Sequence, residues 1–163
     1  LRAEVVERMN RGMSEAEILA DMSYPPELFD HPWMAPTYGC ADYIVRDLYR
    51  EENGWWDRNP TTLHPSPPDQ AASEILSAVG DPATVVNQAK ELAQKGQTQL
   101  ALHVIDLVAL APGDDPMVAE ARAVKAELCR ARSEEVEPFV SKSCYRSSAR
   151  LLDEGHTSWQ DLP

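Results

Sequence analysis

The sequence predicts an all-α fold, a helical array whose C-terminal half holds a helix pair of the tetratricopeptide type. Three observations lead to this prediction. Apolar residues recur at the three- and four-residue spacing of an α-helix, as in Val85, Ala89 and Leu92. Prolines stand where helices are expected to begin and glycines where they end, which is the usual asymmetry of helix termini. The strict alternation of apolar and polar residues that marks a half-buried strand is absent from the sequence.

The first thirty residues predict three short helices. Residues 3–10 place Val5, Val6 and Met9 on one side and are followed by Gly12. Ser14 and Glu17 form a capping box, which starts a second helix over residues 15–22. Residues 25–29 make about one helical turn. Residues 31–36 are expected to be extended, because a residue that precedes proline avoids the helical region.

The central helix is predicted over residues 42–53, ended by Gly54. Its apolar face is expected to comprise four residues, Ile44, Val45, Leu48 and Tyr49. The run Trp-Trp-Asp-Arg-Asn-Pro follows as a loop. Two adjacent tryptophans on a loop must be covered, either by helices of this chain or by the surface of a partner.

The second half of the chain reads as five consecutive helices. They are expected over residues 68–79, 82–95, 97–110, 116 to about 132, and 138 to about 154. Within this run, Gly96 marks a tight turn between two helices, and Ala101 is a small residue where the second helix approaches the first. The tetratricopeptide-like packing is expected to bring Val85, Ala89 and Leu92 against Val104, Ile105 and Val108.

Composition limits the partners that the chain can bind. The 163 residues suit one domain, and 27 acidic against 15 basic residues give a net charge of −12. Such a charge disfavours nucleic acid and anionic membranes as partners. Three widely spaced cysteines imply no disulfide framework. No apolar run is long enough for a membrane span, and no signal peptide is visible. A start at Leu1 without methionine indicates a fragment or a processed chain.

Several sequence motifs in residues 36–65 carry a resemblance to a known family. These motifs are Pro-Thr-Tyr-Gly at 36–39, Val-Arg at 45–46, Gly-Trp-Trp-Asp-Arg-Asn-Pro at 54–60 and Leu-His-Pro at 63–65. Two further motifs precede them, Met-Asn-Arg-Gly at 9–12 and Tyr-Pro-Pro-Glu-Leu at 24–28. They resemble the dimerisation domain of bacterial zinc-dependent alkyl sulfatases of the metallo-β-lactamase superfamily. The resemblance implies one dimerisation domain over residues 1–163. Residues 1–66 form its aromatic and proline-rich part, residues 67–154 its tetratricopeptide-like helices and residues 155–163 a tail.

Tyr38 and Arg46 are the polar residues expected to have a function. They would either face the mouth of a neighbouring catalytic domain, as one wall of its substrate pocket, or cross the dimer interface. A guanidinium suits a sulfate head group because it can donate two parallel hydrogen bonds. The alternative is that Arg46 pairs with Asp42 or Asp57 and only fixes the helix to the loop. Where relatives carry His-Asn before Val-Arg, this chain has Tyr43 and Ile44.

Six further residues are expected to serve an interface or internal packing: Trp33, Tyr49, Trp55, Trp56, Asp57 and Asn59. In the packing alternative the two adjacent tryptophans lie on the helices that follow, and Asp57 and Asn59 hold the loop through bonds from side chain to backbone. Arg58 replaces a glycine of the family.

No catalytic or metal-binding residue is predicted within this chain. Its four histidines, His31, His64, His103 and His156, are far apart in sequence and do not have the spacing of a zinc site. His64 is expected to hydrogen-bond a loop carbonyl, and His103 to be partly buried. Cys40 lies near a helix start, where a nucleophile and a small buried residue are the two alternatives.

Three functions follow from these observations. The first is a non-catalytic dimer-forming module of an alkyl sulfatase-like hydrolase. Its zinc would be bound by a metallo-β-lactamase-fold domain located upstream or on a separate chain, so that the partners of this chain are a second copy and that domain. The second is a stand-alone tetratricopeptide-like scaffold that binds a protein or peptide. The third is an autonomous helical enzyme, suggested only by Cys40 and Arg46.

Overall fold

The structure, a computed structural model, describes residues 1–157, and all of their regular secondary structure is helical. The chain divides into two compact units, Leu1–Pro65 and Ser66–Pro163. The N-terminal unit contains α1 (Arg2–Asn10), α2 (Glu15–Asp21), α3 (Pro26–Phe29), a 3-10 helix (Pro32–Met34), α4 (Ala41–Asn53) and α5 (Pro60–Leu63). The C-terminal unit contains α6 (Pro68–Ala78), α7 (Pro82–Gln94), α8 (Thr98–Ala109), α9 (Pro116–Glu135) and α10 (Phe139–Asp153). The predicted all-α class is confirmed.

The helix termini follow the local signals in the sequence. The capping box is present, because Ser14 Oγ accepts from the backbone N–H of Glu17 while a Glu17 carboxylate oxygen accepts from the Ser14 N–H at 2.8 Å. Proline occupies the first position of α6, α7 and α9. Gly54 ends α4 with φ +80°, a left-handed value that glycine adopts without steric cost.

The core of the N-terminal unit is formed where α1, α2 and α4 meet. Four buried side chains compose it, Val5, Ile18, Val45 and Tyr49. Ile44 was expected on the same face but is 51% exposed. Each residue advances about 100° around an α-helix, so Val45, Leu48 and Tyr49 span one face while Ile44 lies at its edge.

Two short elements of the N-terminal unit differ from the prediction. Pro32–Met34 form a 3-10 helix where an extended stretch was expected. His31 and Ala35 are extended, as residues beside prolines should be, but the His31 ring nitrogen accepts from the Trp33 N–H at 3.2 Å and closes a turn between them. Helix α5 was not expected; Asn59 caps it by accepting from the Thr61 N–H.

The C-terminal unit is built around α8, which packs against α6, α7 and α9, while α10 packs against α9. Ala89 of α7 and Ala101 of α8 are completely buried. Val86 is the fully buried valine of α7, and Val85, expected to face α8, is half-buried and packs against the core that α8 shares. The two helices meet at Gly96, which has φ +72°.

Polar side chains cross-link the helices of this unit. Lys90 of α7 pairs with Glu120 of α9 at 2.8 Å, and Lys125 of α9 pairs with Asp106 of α8 at 2.7 Å. Arg122 of α9 reaches the end of α8 and the turn that follows it. Its guanidinium donates to the backbone carbonyls of the turn after α8, those of Ala109, Ala111 and Gly113, at 3.3, 2.6 and 3.3 Å.

Candidate functional site

The aromatic loop that follows α4 is held by its own hydrogen bonds. The Asn53 side-chain amide donates to the carbonyl of Trp56 at 2.5 Å, and Asn53 Oδ1 accepts two bonds from the Arg58 guanidinium at 3.0 and 2.9 Å. The Trp56 indole N–H donates to the carbonyl of Asn59 at 3.1 Å. These bonds fix the path of the chain between the end of α4 and the start of α5.

Asp57 and Asn59 complete this network. Asp57 Oδ1 accepts from the Asn59 N–H at 2.9 Å and from the Thr62 hydroxyl at 2.5 Å. These hydrogen bonds, that of the Thr62 hydroxyl first, lower the pKa of the Asp57 carboxyl group. Both residues therefore hold the loop through their side chains.

Arg58 has φ +68°, in the left-handed region that glycine favours. The family resemblance leads us to expect a glycine at this position. The two bonds that the Arg58 side chain donates to Asn53 help to offset the cost of this backbone conformation. The loop thus makes the turn without the glycine.

The two adjacent tryptophans have different environments. Trp56 is half-buried, whereas Trp55 is 77% exposed. Trp55, Trp56 and Asp57 line a groove of about 340 Å³ together with residues 14–16 at the start of α2. Tyr49 forms part of the groove wall. Its hydroxyl oxygen is buried and has no hydrogen-bond partner among the described residues.

Arg46 does not contact either of the acids expected for it. Its guanidinium donates to Glu15 Oε1 at 2.5 Å, joining α4 to the first turn of α2. Asp42 instead accepts from the Tyr24 hydroxyl at 2.8 Å. Burial, together with this bond to a carboxylate, raises the pKa of Tyr24. More than half of the Arg46 side chain stays exposed, so part of its guanidinium faces solvent.

Trp33 and Tyr38 lie on the surface between α3 and α4. Trp33 is 88% exposed and Tyr38 72% exposed. The His31 and Trp33 rings stack with centroids 6.4 Å apart. The structure therefore presents two of the predicted site aromatics to the outside, whereas Tyr49 is part of the core.

The histidines are dispersed over both units. His31, His64 and His103 are exposed, and His156 is half-buried. The expectation of a partly buried His103 is wrong, because the residue is exposed at the edge of the space between α8, α9 and α10. Within residues 1–157 no three side chains of His, Cys, Asp or Glu come together as a metal-binding group. The described residues therefore do not offer the ligand set of a zinc ion.

Cys40 is half-buried and occupies the position that precedes α4, with no hydrogen bond from its side chain to the helix start.

The C-terminal unit has a cavity of about 270 Å³ between α8, α9 and α10. Cys129 lines it as a buried thiol whose pKa is raised by that burial. Among the described helices, none combines the length and the apolar character needed to cross a bilayer.

Comparisons with known proteins agree with this helical architecture. The family model described as alkyl sulfatase dimerisation matches residues 14–155. An (R)-specific secondary-alkylsulfatase from Pseudomonas sp. is 28% identical over 148 residues, which are 90% of this chain and 22% of that protein. An alkyl/aryl-sulfatase from Saccharomyces cerevisiae is 25% identical over 147 residues, again 90% of this chain and 22% of that protein.

The chain is also similar in three dimensions to part of a solved alkylsulfatase structure. The stereoselective inverting sec-alkylsulfatase from Pseudomonas sp. superposes with a TM-score of 0.80 at 26% identity, covering 94% of this chain and 24% of that one. The chain therefore spans less than a quarter of the length of these relatives. The family model, in contrast, covers most of the chain, including helices of both units. The chain belongs to the alkyl sulfatase dimerisation family.

Proposed function

We propose that this chain is a non-catalytic, dimer-forming module of an alkyl sulfatase, and that it associates with a second copy of itself. The observation that carries the proposal is the match of residues 14–155 to the alkyl sulfatase dimerisation family. It is supported by exposed aromatic side chains in the N-terminal unit, such as Trp33 and Trp55. Large aromatic side chains exposed on a folded unit are typical of surfaces that another protein covers.

The chemistry would be carried out by a different domain. The relatives are named as alkylsulfatases, and this chain corresponds to less than a quarter of their length. We infer a catalytic domain of the metallo-β-lactamase fold, upstream in the same protein or on a separate chain. When bound there, zinc would supply an activated water that hydrolyses a sulfuric ester.

The proposed contribution of this chain to the substrate pocket is one wall, formed by Tyr38 and Arg46. The guanidinium of Arg46 uses one nitrogen on Glu15, and its exposed part has further N–H donors for an anionic group. Tyr38 offers a largely exposed phenol eight residues earlier in the chain. Both residues would act by binding and orienting the sulfate head group.

The other predicted residues divide into two proposed roles. Trp33 and Trp55 are exposed and would contact a partner. Tyr49 packs in the core, while Asp57 and Asn59, together with Trp56, maintain the loop that presents Trp55. In the C-terminal unit we propose tetratricopeptide-like packing for α7 and α8. Two completely buried alanines, one on each helix, support a close approach.

The test combines three measurements on the purified chain. Sedimentation equilibrium from about 1 to 100 µM should give the mass of a dimer, in keeping with the micromolar or tighter affinity of a specific interface. Elemental analysis should find no stoichiometric zinc, and the chain alone should release no sulfate from a linear alkyl sulfate. A monomer across this concentration range would contradict self-association, and bound zinc with sulfate release would contradict the non-catalytic role.

A further inference from the structure

The segment of residues 31–41 is the longest stretch of the sequence without Asp, Glu, Lys or Arg. We call it the neutral segment. It reads His-Pro-Trp-Met-Ala-Pro-Thr-Tyr-Gly-Cys-Ala and is bounded by Asp30 and Asp42. The other uncharged runs of similar length, residues 59–68 and 96–105, contain no Trp, Tyr or Met, whereas this segment contains all three. Depletion of charge together with enrichment of Trp, Tyr and Met is the composition of an interface centre.

The neutral segment also exposes its large side chains. Trp33 and Tyr38 are mostly exposed, and Met34 is more than half exposed. Since an aromatic side chain buries about 150–250 Å², these three residues offer on the order of 400 Å² per copy. Pairing two segments would bury roughly 800 Å² in total, close to the 1,000 Å² that a specific interface needs. The segment is large enough for the centre of an interface, with its neighbours forming the rim.

The conformation that presents Trp33 is already fixed in the single chain. Pro32 restricts the backbone, the His31 ring nitrogen accepts the Trp33 N–H at 3.2 Å, and the two rings stack. The Thr37 N–H donates to the Ala35 carbonyl at 2.7 Å on the far side of the 3-10 helix. A side chain held in place before binding loses less conformational entropy when a partner covers it.

Charge decides which partner this surface fits. Two copies of a chain with a net charge of −12 repel each other wherever acidic faces approach. A neutral apolar segment is where identical copies can meet without bringing like charges together. In a two-fold dimer the same patch serves both partners, so such a segment can pair with itself.

We propose that the neutral segment forms the centre of a two-fold contact between two copies of this chain, with Trp33 as its principal contact residue. This inference rests on the proposed dimerisation and assigns the surface that performs it. The partner is a second copy of the chain; a contact with another protein is an outcome that the test below distinguishes.

The first experiment measures the dimer dissociation constant of the full chain by sedimentation velocity. Trp33→Ala should raise it by at least about 30-fold, the effect of removing a hot-spot residue. The matched control is Leu100→Ala in the C-terminal unit, which also removes an exposed apolar side chain and should change the constant less than about threefold. Helix content should be unchanged in both variants, because both side chains are exposed. The melting temperature should also be unchanged when it is measured at a concentration at which wild type and variants are all monomeric.

The second experiment places a charge at Met34. If the neutral segment lies on the two-fold axis, Met34 lies near its own copy, so Met34→Glu and Met34→Lys should both weaken the dimer by about tenfold or more. If Met34 instead faced an acidic surface elsewhere on the partner, Met34→Lys would strengthen the dimer. That result would overturn the pairing of the segment with itself.

The outcomes separate this inference from the proposed function. A wild-type dimer whose affinity survives Trp33→Ala would overturn the assignment of the surface and leave dimerisation standing. A wild-type chain that is monomeric at all concentrations would overturn dimerisation, and this inference with it. Loss of dimer in both Trp33→Ala and Leu100→Ala would also overturn the assignment, since the effect would not be specific to the neutral segment.

Discussion

Arg122 provides the sharpest test of how the C-terminal unit is held together. Its guanidinium donates to the carbonyls of Ala109, Ala111 and Gly113, which belong to the end of α8 and the turn that follows. Ala111 is almost completely buried. The last carbonyls of a helix have no partner within the helix, so a side chain that reaches them replaces missing hydrogen bonds.

The expected loss for Arg122→Ala is about 2–3 kcal/mol in the free energy of unfolding. A hydrogen bond that involves a charged group contributes about 1.5–3 kcal/mol. The bond to Ala111, at 2.6 Å, should supply most of the loss, because the other two, at 3.3 Å, are long and partly replaceable by water. Arg122→Lys keeps the charge but cannot reach three carbonyls at once, so about 1 kcal/mol should be lost.

The assay is urea unfolding followed by far-ultraviolet circular dichroism. With a urea m-value of about 2 kcal/mol/M, Arg122→Ala should lower the midpoint by about 1–1.5 M. The control is Arg150→Ala, since Arg150 is well exposed and its carboxylate partner Glu154 is 3.9 Å away. That variant should lose less than about 0.5 kcal/mol. Hydrogen exchange of peptides from α8 and α9 should show faster exchange only in the Arg122 variants.

Equal midpoints within error for Arg122→Ala and Arg150→Ala would show that the three carbonyl contacts do not stabilise the unit. An Arg122→Lys variant as destabilised as Arg122→Ala would show that stability does not depend on the number of carbonyls that the side chain reaches.

Three further predictions concern burial and ionisation. Ile18→Ala should lower the unfolding free energy of the N-terminal unit by about 2–4 kcal/mol in urea, because Ile18 is fully buried, whereas Ile44→Ala, at an exposed site, should cost less than about 1 kcal/mol. The Thr98 hydroxyl donates to a Glu135 carboxylate oxygen at 2.5 Å and is the main cause of the lowered pKa of Glu135. Because the pKa of Glu135 is lower in the folded than in the unfolded protein, its ionised carboxylate stabilises the folded state at pH values above the unfolded-state pKa of about 4.5. This stabilisation is lost as the pH falls below that value and through the folded-state pKa. Thr98→Val should therefore lower the melting temperature at pH 7 and flatten its fall between about pH 6 and pH 3. A chromogenic disulfide reagent should leave the buried Cys129 thiol unreacted in the folded protein and titrate it after unfolding, because burial raises its pKa and blocks access.

Each of these predictions has an opposite result that would count against it. Equal losses for the two isoleucine variants would show that the α1–α2–α4 core does not stabilise its unit. An unchanged acid-induced fall in melting temperature for Thr98→Val would separate that hydroxyl from the ionisation of Glu135. Reaction of all three thiols at one rate in the folded chain would contradict the burial of Cys129.

Much of the fold could be predicted from the sequence because helix termini are encoded locally. A capping residue acts three positions away, as Ser14 does on Glu17. A proline such as Pro116 fixes the backbone angle of the first residue of its helix, and Gly54 relieves the left-handed turn at the end of α4. Signals of this range are visible in a single sequence, and the bounds of the long helices follow from them.

The site residues were harder to place because their partners are distant in sequence or irregular in backbone. Arg46 pairs with Glu15, 31 positions away, rather than with an acid on its own helix or loop. Spacing along one helix cannot reveal such a partner, which depends on how α2 and α4 pack. The role of Asn53 was missed for a different reason: its bonds to Trp56 and Arg58 exist only in the folded loop.

The periodicity rule also has limited angular resolution. Ile44 and Val45 are adjacent and equally apolar, yet one is exposed and the other is completely buried. Val85 and Val86 in α7 show the same ambiguity. A 100° step per residue leaves two neighbouring positions competing for one face, and the packing of the facing helix decides between them.

The small core of the N-terminal unit has a consequence for how long the protein resists proteolysis. Only four side chains of that core are fully buried, while the same unit carries indole rings on its surface. Anything that binds only the folded form suppresses its opening in proportion to occupancy, and proteases attack the opened form. Unassembled copies would therefore be degraded first, beginning in residues 1–65, and assembly would determine how long each copy survives.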